Sequence, residues 1–164
     1  MKRFGLIAVS LCTLLLTSCL ETSENYTPSV SVSYFVSSEG DTLAWHYYAN
    51  DDYYYLDSVS VGDTVFFSVG FMSYANMLVS CDISWDSTIL DLRPMLAADF
   101  IKALSSQSDT TVCHYAFKEG YNGAYVPVRF VPIRSRDTRL TFSVTSDAEQ
   151  VSNTDKMSVW VYVR

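Results

Sequence analysis

The most constraining feature of this chain is a two-residue alternation that recurs along most of its length. Met77, Val79, Cys81, Ile83 and Trp85 are apolar, while Ser80, Asp82, Ser84 and Asp86 between them are polar. Successive side chains of a strand point to opposite faces, so this pattern buries one face and wets the other; a helix would scatter the same residues around its axis. The period returns in Val30, Val32, Tyr34 and Val36 against Ser31, Ser33 and Ser37, and in Leu43, Trp45 and Tyr47 against Ala44, His46 and Tyr48. It returns again in Val65, Phe67, Val69 and Phe71, in Cys113, Tyr115 and Phe117 within 111–117, in Leu140, Phe142 and Val144, and in Met157, Val159, Val161 and Val163. Turn residues punctuate these runs: Glu39-Gly40-Asp41, Asn50-Asp51-Asp52, Gly62-Asp63 and Asn122-Gly123. The second of them predicts that 53–61 returns antiparallel to the preceding run. Pro127 and Pro132 cannot donate to a ladder, which predicts an edge strand over 125–133. About eight or nine short strands with turns between them spell an all-β antiparallel sandwich.

One stretch departs from the period. Leu96, Phe100 and Leu104 repeat every four residues, with Ala97 and Ile101 beside them and Pro94 ahead. Proline suits the first turn of a helix, so the spacing predicts one short amphipathic helix over 94–104, covering an open end or edge of the sheets.

The N-terminus has a different grammar. Lys2 and Arg3 precede an apolar run from Phe4 to Leu16, too short to span a bilayer, which takes roughly 20 apolar residues. The run ends in Leu16-Thr17-Ser18-Cys19, which resembles the lipobox of bacterial lipoproteins. That resemblance implies diacylglycerol on the Cys19 sulfur, cleavage after Ser18, and an acyl chain on the new α-amine; two or three chains hold a protein firmly where one does not. It divides the chain into a signal peptide (1–18), a lipidated tether (19–29) and one domain (30–164). Leu20 after the cysteine, rather than Asp, implies the outer membrane of a Gram-negative envelope, with the periplasmic or surface face left open. The Gly62-Asp63 turn leading into Val65–Val69, with the final strand pair, resembles bacterial immunoglobulin-like domains. The expected fold is therefore an antiparallel immunoglobulin-like β-sandwich with one short helix.

Charge and cysteines narrow the chemistry. The formal charge is −7, and loss of Lys2 and Arg3 with the signal takes it to −9. Such a surface repels nucleic acid and anionic headgroups, so membrane attachment falls to the lipid. Cys12 leaves with the signal and Cys19 carries lipid, which leaves Cys81 and Cys113. They either bridge, closing a loop of about 30 residues worth roughly 3–4 kcal/mol, or stay as two small buried hydrophobes. Cys113 and His114 point to opposite faces of a strand, so with His46 they make no metal site. Asp51, Asp52 and Asp57 lack the twelve-residue calcium loop with its closing Glu. There is no Gly-x-Ser-x-Gly and no phosphate-cradling glycine loop, and no enzyme is expected.

The remaining oddity is the run from Trp45 to Tyr55. Trp45, Tyr47, Tyr53, Tyr54 and Tyr55 present aromatic faces bordered by Asp and Asn, which suits the stacking of sugar rings. The same residues would also serve as cross-strand pairs that merely stabilise a hairpin. The expectation is a lipid-anchored binding or accessory module for a glycan or an envelope protein, with no cofactor. The alternative is a structural or assembly subunit of a surface appendage or outer-membrane complex, recognisable by an exposed strand edge at 30–36 or at the C-terminal strand.

Overall fold

A computed structural model describes residues 26–49 and 53–164. Cys19, the signal, most of the tether and the Asn50-Asp51-Asp52 turn lie outside the described residues. Among the described residues the chain forms two six-stranded sheets packed face to face and one short helix. The first sheet runs β3 (Thr42–Leu43), β2 (Phe35–Ser37), β6 (Val65–Met72), β10 (Gly123–Pro132) and β8 (Leu90–Pro94), with β1 (Ser29–Val32) also paired to β6. The second runs β4 (Trp45–Tyr48), β5 (Tyr53–Val59), β12 (Thr154–Val163), β11 (Thr138–Ser146), β7 (Leu78–Ser84) and β9 (His114–Ala116). Every pairing is antiparallel except β5 with β12, which run parallel. The all-β sandwich is as the period demands.

The inward phases meet as expected. Val65, Phe67, Val69 and Phe71 are buried, as are Leu140, Phe142, Val144, Val159, Val161 and Val163. Phe67 is the hub: its ring lies 4.9 Å from Phe35, 6.0 Å from Phe130 and, across the sandwich, 5.8 Å from Phe142. Val30 N–H donates to the Asp155 carboxylate at 2.9 Å and ties the first sheet to the second at one margin.

Two bulges shift the phase where the simple period predicts continuity. The run 30–36 is two strands, because Ser33 and Tyr34 interrupt it. Ser33 donates its N–H to the Ser68 carbonyl, and its own hydroxyl oxygen accepts the Ser68 N–H at 2.8 Å. A side-chain oxygen thus replaces a carbonyl, the chain gains one residue, and Phe35 turns inward while Tyr34 is 71% exposed. In β7, Thr145 pairs with Ser80 and Ser146 with Leu78, leaving Val79 as the extra residue. Leu78 is therefore buried, and Met77 and Val79 are exposed although the alternation assigns them to the core.

The prolines correct two further expectations. The helix is shorter than the spacing implies: α1 spans Ala98–Ala103, and Pro94 instead ends β8. Met95 N–H donates to the Pro127 carbonyl, so by alternation the Pro94 nitrogen faces the outer edge, where no donor is needed. Leu96, Phe100 and Leu104 still pack against the core, whereas Ile101 is exposed. β10 is internal rather than an edge. Its Pro127 nitrogen points toward β8 but opposite Met95, one residue beyond that strand. The Pro132 carbonyl accepts from Gly62, so its nitrogen points past the last β6 pair, Phe130 with Val65. Each missing donor falls off a neighbour's end, and the ladder loses nothing.

Cys113 sits in a turn ahead of β9 with φ +56°, not inside a strand. It and Cys81 are buried free thiols. Cys81 pairs with Tyr115, while Ile83 donates to the Cys113 carbonyl at 3.1 Å, so the two cysteines are diagonal neighbours. Diagonal residues lie about 7–8 Å apart, against the roughly 4.4–6.8 Å between Cα atoms that a disulfide takes. Burial pushes both thiol pKa values up. The Tyr115 hydroxyl beside them finds no partner at hydrogen-bond geometry among the described residues.

Two outcomes follow from this packing. Phe67→Ala should cost about 3–5 kcal/mol in chemical denaturation, with the transition staying cooperative; a loss below about 1 kcal/mol would show that Phe67 is not the hub. A thiol reagent applied without reductant should label neither cysteine in the folded domain and both after denaturation. No label after denaturation would establish the bridge instead.

Candidate functional site

The aromatic run folds as the predicted hairpin. Trp45 pairs with Leu56, His46 with Tyr55, Tyr47 with Tyr54 and Tyr48 with Tyr53. Directly opposed residues share a face, so the register sorts the candidates into two sets. Trp45, Tyr47 and Tyr54 lie on the inner side with the fully buried Leu56. Trp45 packs on Phe35 at 5.8 Å and stacks on Tyr54 at 5.0 Å, and Tyr47 lies 4.9 Å from Tyr54. Tyr53 and Tyr55 lie on the outer side with His46 and Tyr48.

The outer set is larger than the hairpin. Trp160 and Tyr162 occupy the phase of β12 opposite its buried valines, and Trp160 pairs with Tyr55. Tyr48 and Tyr53 stack at 5.6 Å with planes 15° apart. His46 lies 5.1 Å and Tyr162 5.6 Å from Tyr55. The result is a row of Tyr48, Tyr53, Tyr55, His46, Tyr162 and Trp160 across three strands of the second sheet. Sequence reasoning placed His46 and Tyr48 within the run without naming them as candidates, and it missed Trp160 and Tyr162. The signal for the last two was present, since they fall out of phase with Val159, Val161 and Val163.

The row ends in a cationic corner. Arg139 pairs with Trp160 and holds its guanidinium 5.8 Å from that ring's centre. Beyond it a cleft of about 410 Å³ is lined by Trp85, Asp86, Arg136, Asp137, Arg139 and Trp160, among others. The Thr88 hydroxyl and N–H bond Asp86 at 2.6 and 2.9 Å and hold its carboxyl below the usual range, with Arg136 and Arg134 adding to the effect. Asp137 accepts the Val163 N–H at 3.1 Å.

Other polar clusters are committed elsewhere. His114 and Ser143 both bond Asp82, at 2.6 and 3.4 Å. The carboxylate thus stands between hydroxyl and imidazole, whereas a serine nucleophile needs the imidazole at its own oxygen. Among the described residues no three His, Cys, Asp or Glu gather around one point that would hold an ion. A hollow of about 760 Å³ lies beside β9 over Met77, Val79 and Phe117. Its Asp147 accepts Met77 N–H, its Lys118 donates to the Lys102 carbonyl and its His114 is held by Asp82, so half of its polar side chains are engaged by protein.

Several strand edges are also occupied. His114 exchanges both backbone bonds with Asp109, and Ala116 bonds Ser105 and Ser108, which seals β9. On β8 the Leu90 carbonyl accepts the Trp85 indole N–H, and Pro94 has no donor. The Val30 N–H on β1 is taken by Asp155, and β12 lies inside its sheet. The two strands that strand exchange would use are therefore blocked or internal.

The sequence matches no protein-family model and no curated protein. Its fold is similar to the C-terminal domain of the Streptococcus agalactiae antigen I/II polypeptide BspA, at 13% identity over 83% of this chain and 50% of that one, with a TM-score of 0.44. The C-terminal domain of the Streptococcus pyogenes antigen I/II-family protein AspA matches at 15% identity, 80% and 46% coverage and a TM-score of 0.47. MyfA, the major subunit of Myf fimbriae from Yersinia enterocolitica, solved with galactose, matches at 12% identity, 80% and 97% coverage and a TM-score of 0.39. The chain spans about half the length of the streptococcal domains, and at such scores no functional residue carries across.

Proposed function

We propose that this chain is a lipid-anchored envelope module that binds a polysaccharide on the outer aromatic face of its second sheet. One observation carries the reading: the aromatic row runs over three strands on the side away from the core. Cross-strand pairing accounts for rings within a hairpin. It does not call for Trp160 and Tyr162, whose strand is already fixed by the burial of Val159, Val161 and Val163. Rings that add nothing to the core present flat apolar area with hydroxyl rims, which fits the C–H faces and hydroxyls of sugars. The Leu16-Thr17-Ser18-Cys19 motif supports the anchor and Leu20 the outer membrane. The sealed β9 edge and the internal position of β12 speak against strand exchange through those two strands.

The two faces of the hairpin separate fold from binding. Tyr48→Ala and Tyr55→Ala should each cost no more than about 1 kcal/mol of stability and weaken retention by a polysaccharide panel in affinity electrophoresis by tenfold or more. Tyr54→Ala should instead cost about 2 kcal/mol, because that ring fills the inner side against Trp45. Unchanged retention in both outer-face variants, or no retention of any polysaccharide by the wild type, defeats the proposal. Retention by a protein partner alone would move the same face to protein recognition.

The anchor has its own test. Mass spectrometry of the mature protein should find Cys19 at the N-terminus with diacylglycerol and an amide-linked acyl chain, and Cys19→Ala should leave the membrane fraction. An unmodified N-terminus beginning elsewhere overturns it.

A further inference from the structure

Resting on the glycan reading, we infer that the glycan is acidic, and that its carboxylates are held by the arginines at the Trp160 end of the row. Arg134, Arg136 and Arg139 are three of only 11 Lys and Arg residues in a chain of net charge −7, and they fall within six positions at the corner between β10 and β11. All three are exposed. The four ion pairs among the described residues use Arg93, Lys102, His114 and Arg129, and none uses these three. Lys118, Lys156 and Arg164 are outside those pairs too, but they lie singly in the sequence, whereas these three arginines share one corner.

Asp86 is close enough for Arg136 and Arg134 to help lower its pKa, yet neither it nor Asp137 forms an ion pair with the three arginines. One oxygen of Asp86 takes both Thr88 bonds, and one oxygen of Asp137 takes the Val163 N–H. The guanidinium forks keep their in-plane donors. A guanidinium offers paired N–H groups that match a carboxylate two to two, and it has no acceptor to spend on a neutral hydroxyl's proton. Arg139 is steadied by its own neighbour, since its guanidinium lies over Trp160. Trp85 closes the other side of the cleft, its indole N–H already bonded to the Leu90 carbonyl, so that it contributes a ring face.

Register makes the two halves one surface. Tyr55 pairs with Trp160 and Trp160 with Arg139, so a single line crosses β5, β12 and β11 from phenol to indole to guanidinium. Neighbouring strands are about 4.8 Å apart, which makes that line about 10 Å long, the span of two sugar residues. A chain stacked on Tyr55 and Trp160 delivers its next substituent to Arg139 and Arg136. A neutral polymer offers those forks only single hydroxyl oxygens, whereas a uronate polymer offers a charged carboxylate that accepts from both donors at once.

The probes are polygalacturonate and alginate, each compared with the same polymer after esterification of its carboxylates. Wild-type protein should be retained by the free acids at least tenfold more strongly than by the esters, with the difference shrinking as salt rises. Arg136→Gln with Arg139→Gln should erase that preference without moving the melting temperature, and Arg139→Lys should restore part of it, because the charge returns without the fork. If acid and ester are retained alike, or only neutral polysaccharides are retained, the arginine inference fails while the glycan reading stands. If no polysaccharide of either kind is retained, both fail. Full preference in the double Gln variant also overturns the assignment.

Discussion

Everything in this domain depends on the strict alternation of side chains on a strand. A strand assigns each residue to a face with no intermediate choice, so the core claims one phase and leaves the other to whatever the surface requires. β12 shows the division: Val159, Val161 and Val163 are buried, and Trp160 and Tyr162 between them are not. The valines already satisfy the burial that holds the strand, so the outer residues are under no demand from folding. Large aromatics placed there need a reason that packing does not supply. The same logic turns Tyr54 from candidate ligand contact into structural residue, since its phase is that of Leu56.

Much of the fold was legible because alternation survives in the letters. The apolar phases at Val65–Phe71, Leu140–Val144 and Met157–Val163 are buried at every position but one, the half-buried Met157. The misreadings share a cause: a local backbone event that the alphabet does not mark. At Ser33 a hydroxyl oxygen takes the place of a carbonyl and inserts one residue, which exchanges Tyr34 for Phe35 at the core. At Val79 the partner strand skips a step, and Leu78 becomes the buried residue. Pro127 and Pro132 were read correctly as residues that cannot donate, but where that defect points depends on where the neighbours end. That is tertiary information, and composition does not contain it.

The candidate site divides along the same line. The hairpin was visible because Trp45 to Tyr55 is contiguous, and its partition into faces follows from the register of one turn. The extension to Trp160 was not visible, because it depends on β5 pairing with β12 from 105 positions away. That pairing is parallel, the single exception in the sandwich, and it breaks the usual rule that neighbours in a β meander are neighbours in sequence. The arginines add a second long-range step through β11. A surface assembled from four separated segments has no linear motif, which is why neither the aromatic run nor the arginine cluster identifies it alone.

The overall charge shapes how such a surface would select its ligand. A polyanion approaching this domain meets a field set by an excess of carboxylates, and within about 8–10 Å at physiological salt that field repels it. The corner holding Arg134, Arg136 and Arg139 concentrates positive charge against that field. Under the proposed reading, repulsion elsewhere and attraction at one end of an aromatic row would act together as orientation, with a polymer tolerated along the row and rejected across it. A uniformly basic face would bind acidic chains more tightly but also in any direction, and would take up nucleic acid as well. Placing three unpaired guanidinium groups in an otherwise acidic domain therefore gives up affinity for direction, and the stacking rings must carry the binding that the charges do not.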